Sequence, residues 1–209
     1  MPSLEILIAF FGTSVILGLV PGPDNIFVLT QSAVEGRMAG LLVTLGLATG
    51  LLFHTAAVAL GVSVIFQTSA TAFTILKLFG VSYLLYLAWG AFRASGSKIS
   101  TKNNKKLGNV ALYRRGIIMN ITNPKVSIFF LAFLPQFLEP KAGAIPLQII
   151  ILGGIFILAT LMVFSSVAYL AGSLGKILGR SDKAQIILNR VAGCVFVALA
   201  LKLILTSNK

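Results

Sequence analysis

The sequence is poor in the groups from which soluble surfaces and metal centres are built. Only 11% of its 209 residues are charged, acidic residues number five, and it has one histidine and one cysteine. A soluble domain carries about 25% charged residues, so an ordinary water-facing surface is excluded. The single cysteine, Cys194, excludes an internal disulfide. One histidine and no cysteine cluster exclude a metal site, and neither metal nor cofactor is expected. The scarcity of acid leaves a net charge of +12. The basic residues nevertheless sit in short polar stretches between apolar runs and form no clustered face, so nucleic acid is not an expected partner. The opening stretch, MPSLEILIAFF, lacks the basic start and small-residue cleavage site of a signal peptide. The first helix is therefore expected to remain as a membrane span.

Long apolar runs are present in their place. Met38 to Leu76 is 39 residues without a charged side chain, and Ala142 to Gly175 is another 34. A helix crosses a bilayer in roughly 20 apolar residues. The pattern predicts an all-α, polytopic protein of about six transmembrane helices. The spans fall near 4–20 (continuing past a break), 39–66, 70–92, 116–138, 145–174 and 184–205. The lipid bilayer is thus the first expected partner.

Orientation follows from Lys and Arg. The stretch 93–115 holds Arg93, Lys98, Lys102, Lys105, Lys106, Arg114 and Arg115 without an acid. Lys176, Arg180, Lys183 and Arg37 fall on the same side, against Lys141, Lys202 and Lys209 on the other. The positive-inside rule places the 93–115 loop in the cytoplasm and both termini outside. The loop also divides the chain into three-span halves, 1–92 and 116–209, which an odd span number makes antiparallel. Short matches across them suggest two inverted repeats: Pro21-Gly22-Pro23-Asp24 against Thr122-Asn123-Pro124-Lys125, and the segment around Lys77 against that around Arg190. In such architectures the binding site lies between the halves at broken helices.

Pro21-Gly22-Pro23-Asp24-Asn25 carries the strongest local signal. Two prolines remove two donors and clash with the preceding turn, and Gly22 loosens the backbone further. The break is either a turn at the membrane surface or a site facing a polar cavity. The apolar stretch that follows, Ile26-Phe27-Val28-Leu29, favours the second. Asp24 at depth would cost about 2.5–3.5 kcal/mol on insertion scales. It either holds a proton or a substrate ammonium, or caps the next helix. Lys125, after Asn123 and Pro124, either pairs with Asp24 and binds a substrate carboxylate, or snorkels to the interface. Lys77 and Arg190, each one to two turns inside its span, either line a cavity or snorkel. His54 suits either proton coupling or a hydrogen-bonded core position. Gly46 and Gly50 have the small-xxx-small spacing of close helix packing, within the bundle or in a homodimer.

Leu19-Val20-Pro21-Gly22-Pro23-Asp24, Gly80-Val81-Ser82-Tyr83-Leu84-Leu85-Tyr86-Leu87-Ala88-Trp89 and Thr122-Asn123-Pro124-Lys125 together resemble the signatures of the LysE/RhtB family of amino-acid exporters. Length, span number and the basic central loop match as well. The resemblance implies export of amino acids or close derivatives from the bacterial inner membrane, with the proton as coupling ion in an antiporter. With Asp24 the one clear embedded acid, a neutral zwitterion such as threonine, homoserine or leucine is favoured over lysine. An intramembrane enzyme is a rival reading, but the residues offer no nucleophile–base set. A channel or a non-transporting structural membrane protein is the other.

Overall fold

The computed structural model describes residues 2–68, 70–94, 107–180 and 182–205, and every regular element among them is helical. The interior of the expected basic loop, with Lys98, Lys102, Lys105 and Lys106, lies outside the described residues, as does Lys209. The chain runs through α1 (Leu4–Leu19), α2 (Pro23–Glu35), α3 (Arg37–Thr68), α4 (Ala70–Arg93), α5 (Asn109–Ile121), α6 (Pro124–Ile128), α7 (Ile145–Arg180) and α8 (Asp182–Leu205). Between α6 and α7 come a π-helical segment, Phe129–Phe133, and two 3-10 turns, Leu134–Phe137 and Pro140–Ala142.

Arg37–Gly61, Ile145–Ala171 and Gln185–Leu205 are long and apolar enough to cross a membrane, and counting each of two bent pairs as one span gives five. The bent pairs are α1 with α2, at 63°, and α5 with the segment from Pro124 to Phe137, at 47°. α1 alone is only about 24 Å long at 1.5 Å per residue, short of a bilayer core of about 30 Å. Large apolar side chains such as Leu45, Leu52, Phe53, Ile150, Leu158, Ile187 and Leu201 are exposed around the bundle. Lipid is the solvent that suits such a surface. The chain is a multi-pass membrane protein.

Two boundaries differ from expectation. α5 begins at Asn109, not near Gly116, so Arg114 and Arg115 ride on a helix rather than in the loop. Arginine is a good helix former, and the other face of α5 buries Leu112, Gly116 and Asn120. The Arg115 guanidinium lies 4.8 Å from the Phe27 ring centre. α7 likewise continues past Leu174 to Arg180.

α3 packs against both α5 and α7, α2 lies across α3 and α7, α1 follows α7, and α4 pairs with α8. The α3–α5 crossing is closest at Gly46 and Gly116, where a Cβ on either glycine would run into the other helix's backbone. A Cβ on Gly50 would meet the Asn120 side chain at 2.7 Å. The Gly46/Gly50 spacing therefore serves packing within one chain. Gly46→Leu or Gly116→Leu is expected to force these helices apart, at a cost of at least about 1–3 kcal/mol. Thermal unfolding in detergent would read this as a lowered midpoint, whereas Gly90→Leu, with open space around its Cβ, should leave the midpoint near that of the parent.

The second half of the broken α5 span is irregular, and its surroundings explain why that is tolerated. Phe129, Phe130, Phe133 and Phe137 are all buried, with Phe10 and Phe156 beside them. The Phe129 and Phe133 rings stack at 5.0 Å, and Phe10 meets Phe137 edge-on at 5.0 Å. Non-helical backbone at membrane depth survives where protein covers it.

Candidate functional site

The two breaks meet. Pro21 has no N–H, so it cannot supply the bond that the Leu17 carbonyl would accept in a continuous helix. The Lys125 ammonium takes that place, donating to the carbonyls of Leu17 at 3.3 Å and Val20 at 3.1 Å. The Asn25 amide donates to the Gly18 carbonyl at 2.7 Å. The frayed end of α1 is thus satisfied by side chains, one of them a cation, which also suits the negative end of the helix dipole. Gly22 leaves the room: a Cβ there would stand 3.2 Å from the Lys125 nitrogen.

The second break repeats the logic. Pro124 cannot donate to the Asn120 carbonyl. That oxygen instead receives the backbone N–H of Asn123 at 3.0 Å and lies 3.1 Å from Nε2 of His54. Since a carbonyl only accepts, Nε2 of His54 is the donor in this contact. Asn123 caps α6, its Oδ1 accepting the Lys125 backbone N–H at 3.0 Å. Its Nδ2 is then left to donate to Asp24 Oδ2, at 2.7 Å. One asparagine thereby joins the acid of the first break to the cap of the second.

Asp24 is only 3% exposed and Lys125 only 9%. Each is held by a different partner, Asp24 by Asn123 and Lys125 by the end of α1, while the two remain close enough for their charges to attract. Asp24 is not the cap of α2. Gly22 occupies that position, with no side-chain bond. Burial likewise replaces snorkelling for Lys125. Asp24 Oδ1 and Asn25 Oδ1 are buried without a hydrogen-bond partner. A cavity of about 130 Å³ adjoins the acid, lined by Pro23, Asp24, Met119, Thr122, Asn123 and Pro124.

The structure therefore brings together Pro21, Gly22, Pro23, Asp24, Asn25, Asn123, Pro124 and Lys125, with His54 joined to them through the Asn120 carbonyl. It does not gather Lys77 and Arg190 there. Lys77 is half-buried on α4, and Arg190 is exposed on α8 beside an apolar cleft of about 480 Å³. Sequence reasoning passed over Asn120 and Gln31, both buried, each with a side-chain oxygen that lacks a partner. A helical-spacing signal existed for both. Asn120 stands four residues before Pro124 on the face of Leu112 and Gly116, and Gln31 follows Asp24 and Val28 on the buried face of α2.

Known proteins resemble the chain over nearly its whole length. A homoserine/homoserine lactone efflux protein of Salmonella typhimurium is 32% identical over 189 residues, covering 90% of this chain and 91% of the relative. A leucine efflux protein of Salmonella choleraesuis is 30% identical over 205 residues, covering 91% and 90%. A protein of Vibrio cholerae described as an uncharacterized membrane protein is 28% identical over 200 residues, covering 96% and 97%. No solved structure matches the chain. The LysE type translocator family matches residues 15–207, nearly the full length, and the chain belongs to that family of translocators, which are transporters rather than enzymes.

Proposed function

We propose that this protein exports neutral amino acids or close derivatives across the bacterial inner membrane as a proton-coupled antiporter. The observation that carries the reading is the meeting of two broken helices around one buried acid and one buried base. Such breaks bring backbone dipoles, a carboxylate and an ammonium to a single place, which matches the needs of a zwitterion. The homoserine and leucine named for its relatives fit the same charge balance. A dicationic substrate would bring a second ammonium with no second acid beside Asp24. Asp24, with one oxygen bonded and one unpartnered, is the group suited to carry the coupling proton.

The topology proposed is six spans in two inverted halves, 1–92 and 116–209. α4 supplies the sixth, its 24 residues reaching about 36 Å. Both termini face outward, and the 93–115 segment faces the cytoplasm. Two polar ties suit opposite ends of the bundle: Ser3 N–H donates to Glu139 at 3.1 Å, and Leu107 N–H to Glu35 at 3.2 Å.

Uptake of labelled leucine, homoserine, threonine and lysine into inverted vesicles tests the proposal. Expected is saturable uptake of the neutral amino acids, abolished by collapse of the proton gradient. Lysine should be at least about tenfold slower, since an unpaired charge at depth costs about 2.5–3.5 kcal/mol. Lysine uptake alone would overturn the neutral assignment. Uptake that never saturates would indicate a channel.

A further inference from the structure

We infer that the broken end of α1 is a seat for a primary ammonium, occupied by Lys125 in this structure and taken over by the ammonium of the transported amino acid. This rests on the exporter reading and names the subsite within it.

The seat is built from backbone. Leu17 and Val20 present carbonyls that Pro21 and the break leave open, at the partially negative end of α1. The bound nitrogen lies 3.3 and 3.1 Å from them. Gly22 removes the side chain that would crowd it, and the Asn25 Oδ1, buried and without a partner, lies on the same side of Gly22 as the nitrogen. Asp24, 3% exposed and with its own unpartnered oxygen, adds negative charge nearby. Carbonyl oxygens hold an ammonium through N–H bonds and do not depend on how that ammonium is tethered. A lysine nitrogen and the α-ammonium of an amino acid are therefore interchangeable occupants.

The exchange follows from charge. A substrate carboxylate entering beside Lys125 offers its ammonium a stronger, charged acceptor than two neutral carbonyls. As the Lys125 nitrogen turns toward the carboxylate, the carbonyls of Leu17 and Val20 are left open. The α-ammonium of the same substrate fills them. A single site thus recognises both ends of a zwitterion and is never left with unpaired carbonyls.

Chemical rescue tests the seat apart from transport. Lys125→Ala removes the propylammonium portion of the side chain and leaves a space of that shape. The full-length variant, purified in detergent, is titrated with n-propylammonium while its thermal unfolding midpoint is followed. A saturable rise is expected with n-propylammonium and not with tetramethylammonium, which has no N–H. No such rise is expected in Lys125→Met, whose side chain refills the space. If Lys125→Ala is recovered folded only when n-propylammonium is present during purification, that too supports the seat. Equal effects of the two cations, or no restoration by either readout, overturn it. In the parent protein, leucine should raise the midpoint and N,N,N-trimethyl-leucine should not; equal stabilisation by both overturns the exchange. Rescue without export would count against the exporter reading alone, and export without rescue against the seat alone.

Discussion

Replacing Asp24 by asparagine is expected to reduce export by about ten- to a hundredfold while the protein reaches the membrane in normal amount. The substitution separates charge from hydrogen bonding. An asparagine can turn its carbonyl oxygen to the Asn123 amide and keep the bond now made at 2.7 Å. The position lies in the first turn of α2 without being its cap, so no capping bond is lost. What disappears is the negative charge and the capacity to take up a proton. Hydrogen bonds to charged groups contribute about 1.5–3 kcal/mol, and losing one such charged contact during transport sets the expected fall. Initial uptake rates in inverted vesicles, normalised to the amount of folded protein, give the measurement. Parental rates in Asp24→Asn would mean that the acid only positions Asn123, and the proton would need another carrier.

The broken helices were legible because proline is a covalent constraint, written in the sequence and independent of tertiary context. Asp24, Asn123 and Lys125 were legible because a polar side chain in an apolar run has few places to go. The partners of these side chains were not. Lys125 and Asp24 invite pairing by opposite charge, yet Lys125 bonds the carbonyls of Leu17 and Val20, and Asp24 bonds Asn123. Leu17 and Val20 look like lipid-facing or core residues, and what they contribute is backbone. The sequence shows which donors proline removes but not which side chain replaces them, since that depends on how separate segments cross. For the same reason the role of Gly46 depends on Gly116, a residue 70 positions away that faces it across the α3–α5 crossing. The start of α5 and the end of α7 are blurred for a different reason. Lys and Arg mark loops by the positive-inside pattern, yet both are good helix formers, and at a membrane surface a helix can carry them on its exposed face.

Straightening the first break is expected to abolish export, and the double variant Pro21→Ala/Pro23→Ala is the way to do it. Alanine at these positions restores the donors for the carbonyls of Leu17 and Leu19, and a continuous helix would also claim the Val20 carbonyl through the N–H of Asp24. In a helix interior each proline costs about 3 kcal/mol relative to alanine and Gly22 only about 1 kcal/mol, but Pro21 lies between the two helices and Pro23 at the first position of α2, where proline is tolerated, so only part of that cost is relieved. Helix propensity alone therefore predicts a more stable protein. The structure predicts the opposite, because a helix that bonds its own carbonyls takes them from Lys125. An ammonium 9% exposed would then lose both carbonyl acceptors, and a buried charge stranded by loss of its partner costs about 3–5 kcal/mol. The double variant should unfold at a lower temperature than the parent. Adding Lys125→Met should recover that loss, since a neutral side chain needs no acceptor, while export stays absent. This reversal separates the two explanations: if the prolines serve only to turn the chain, Lys125→Met should be equally harmful with and without them. Pro124→Ala should be milder. There the restored N–H would compete for the Asn120 carbonyl with the Asn123 N–H and with the half-buried His54 ring, and the Lys125 ammonium keeps its acceptors. Equal loss of stability at the two breaks would mean that the Lys125 ammonium is not what makes the first one necessary.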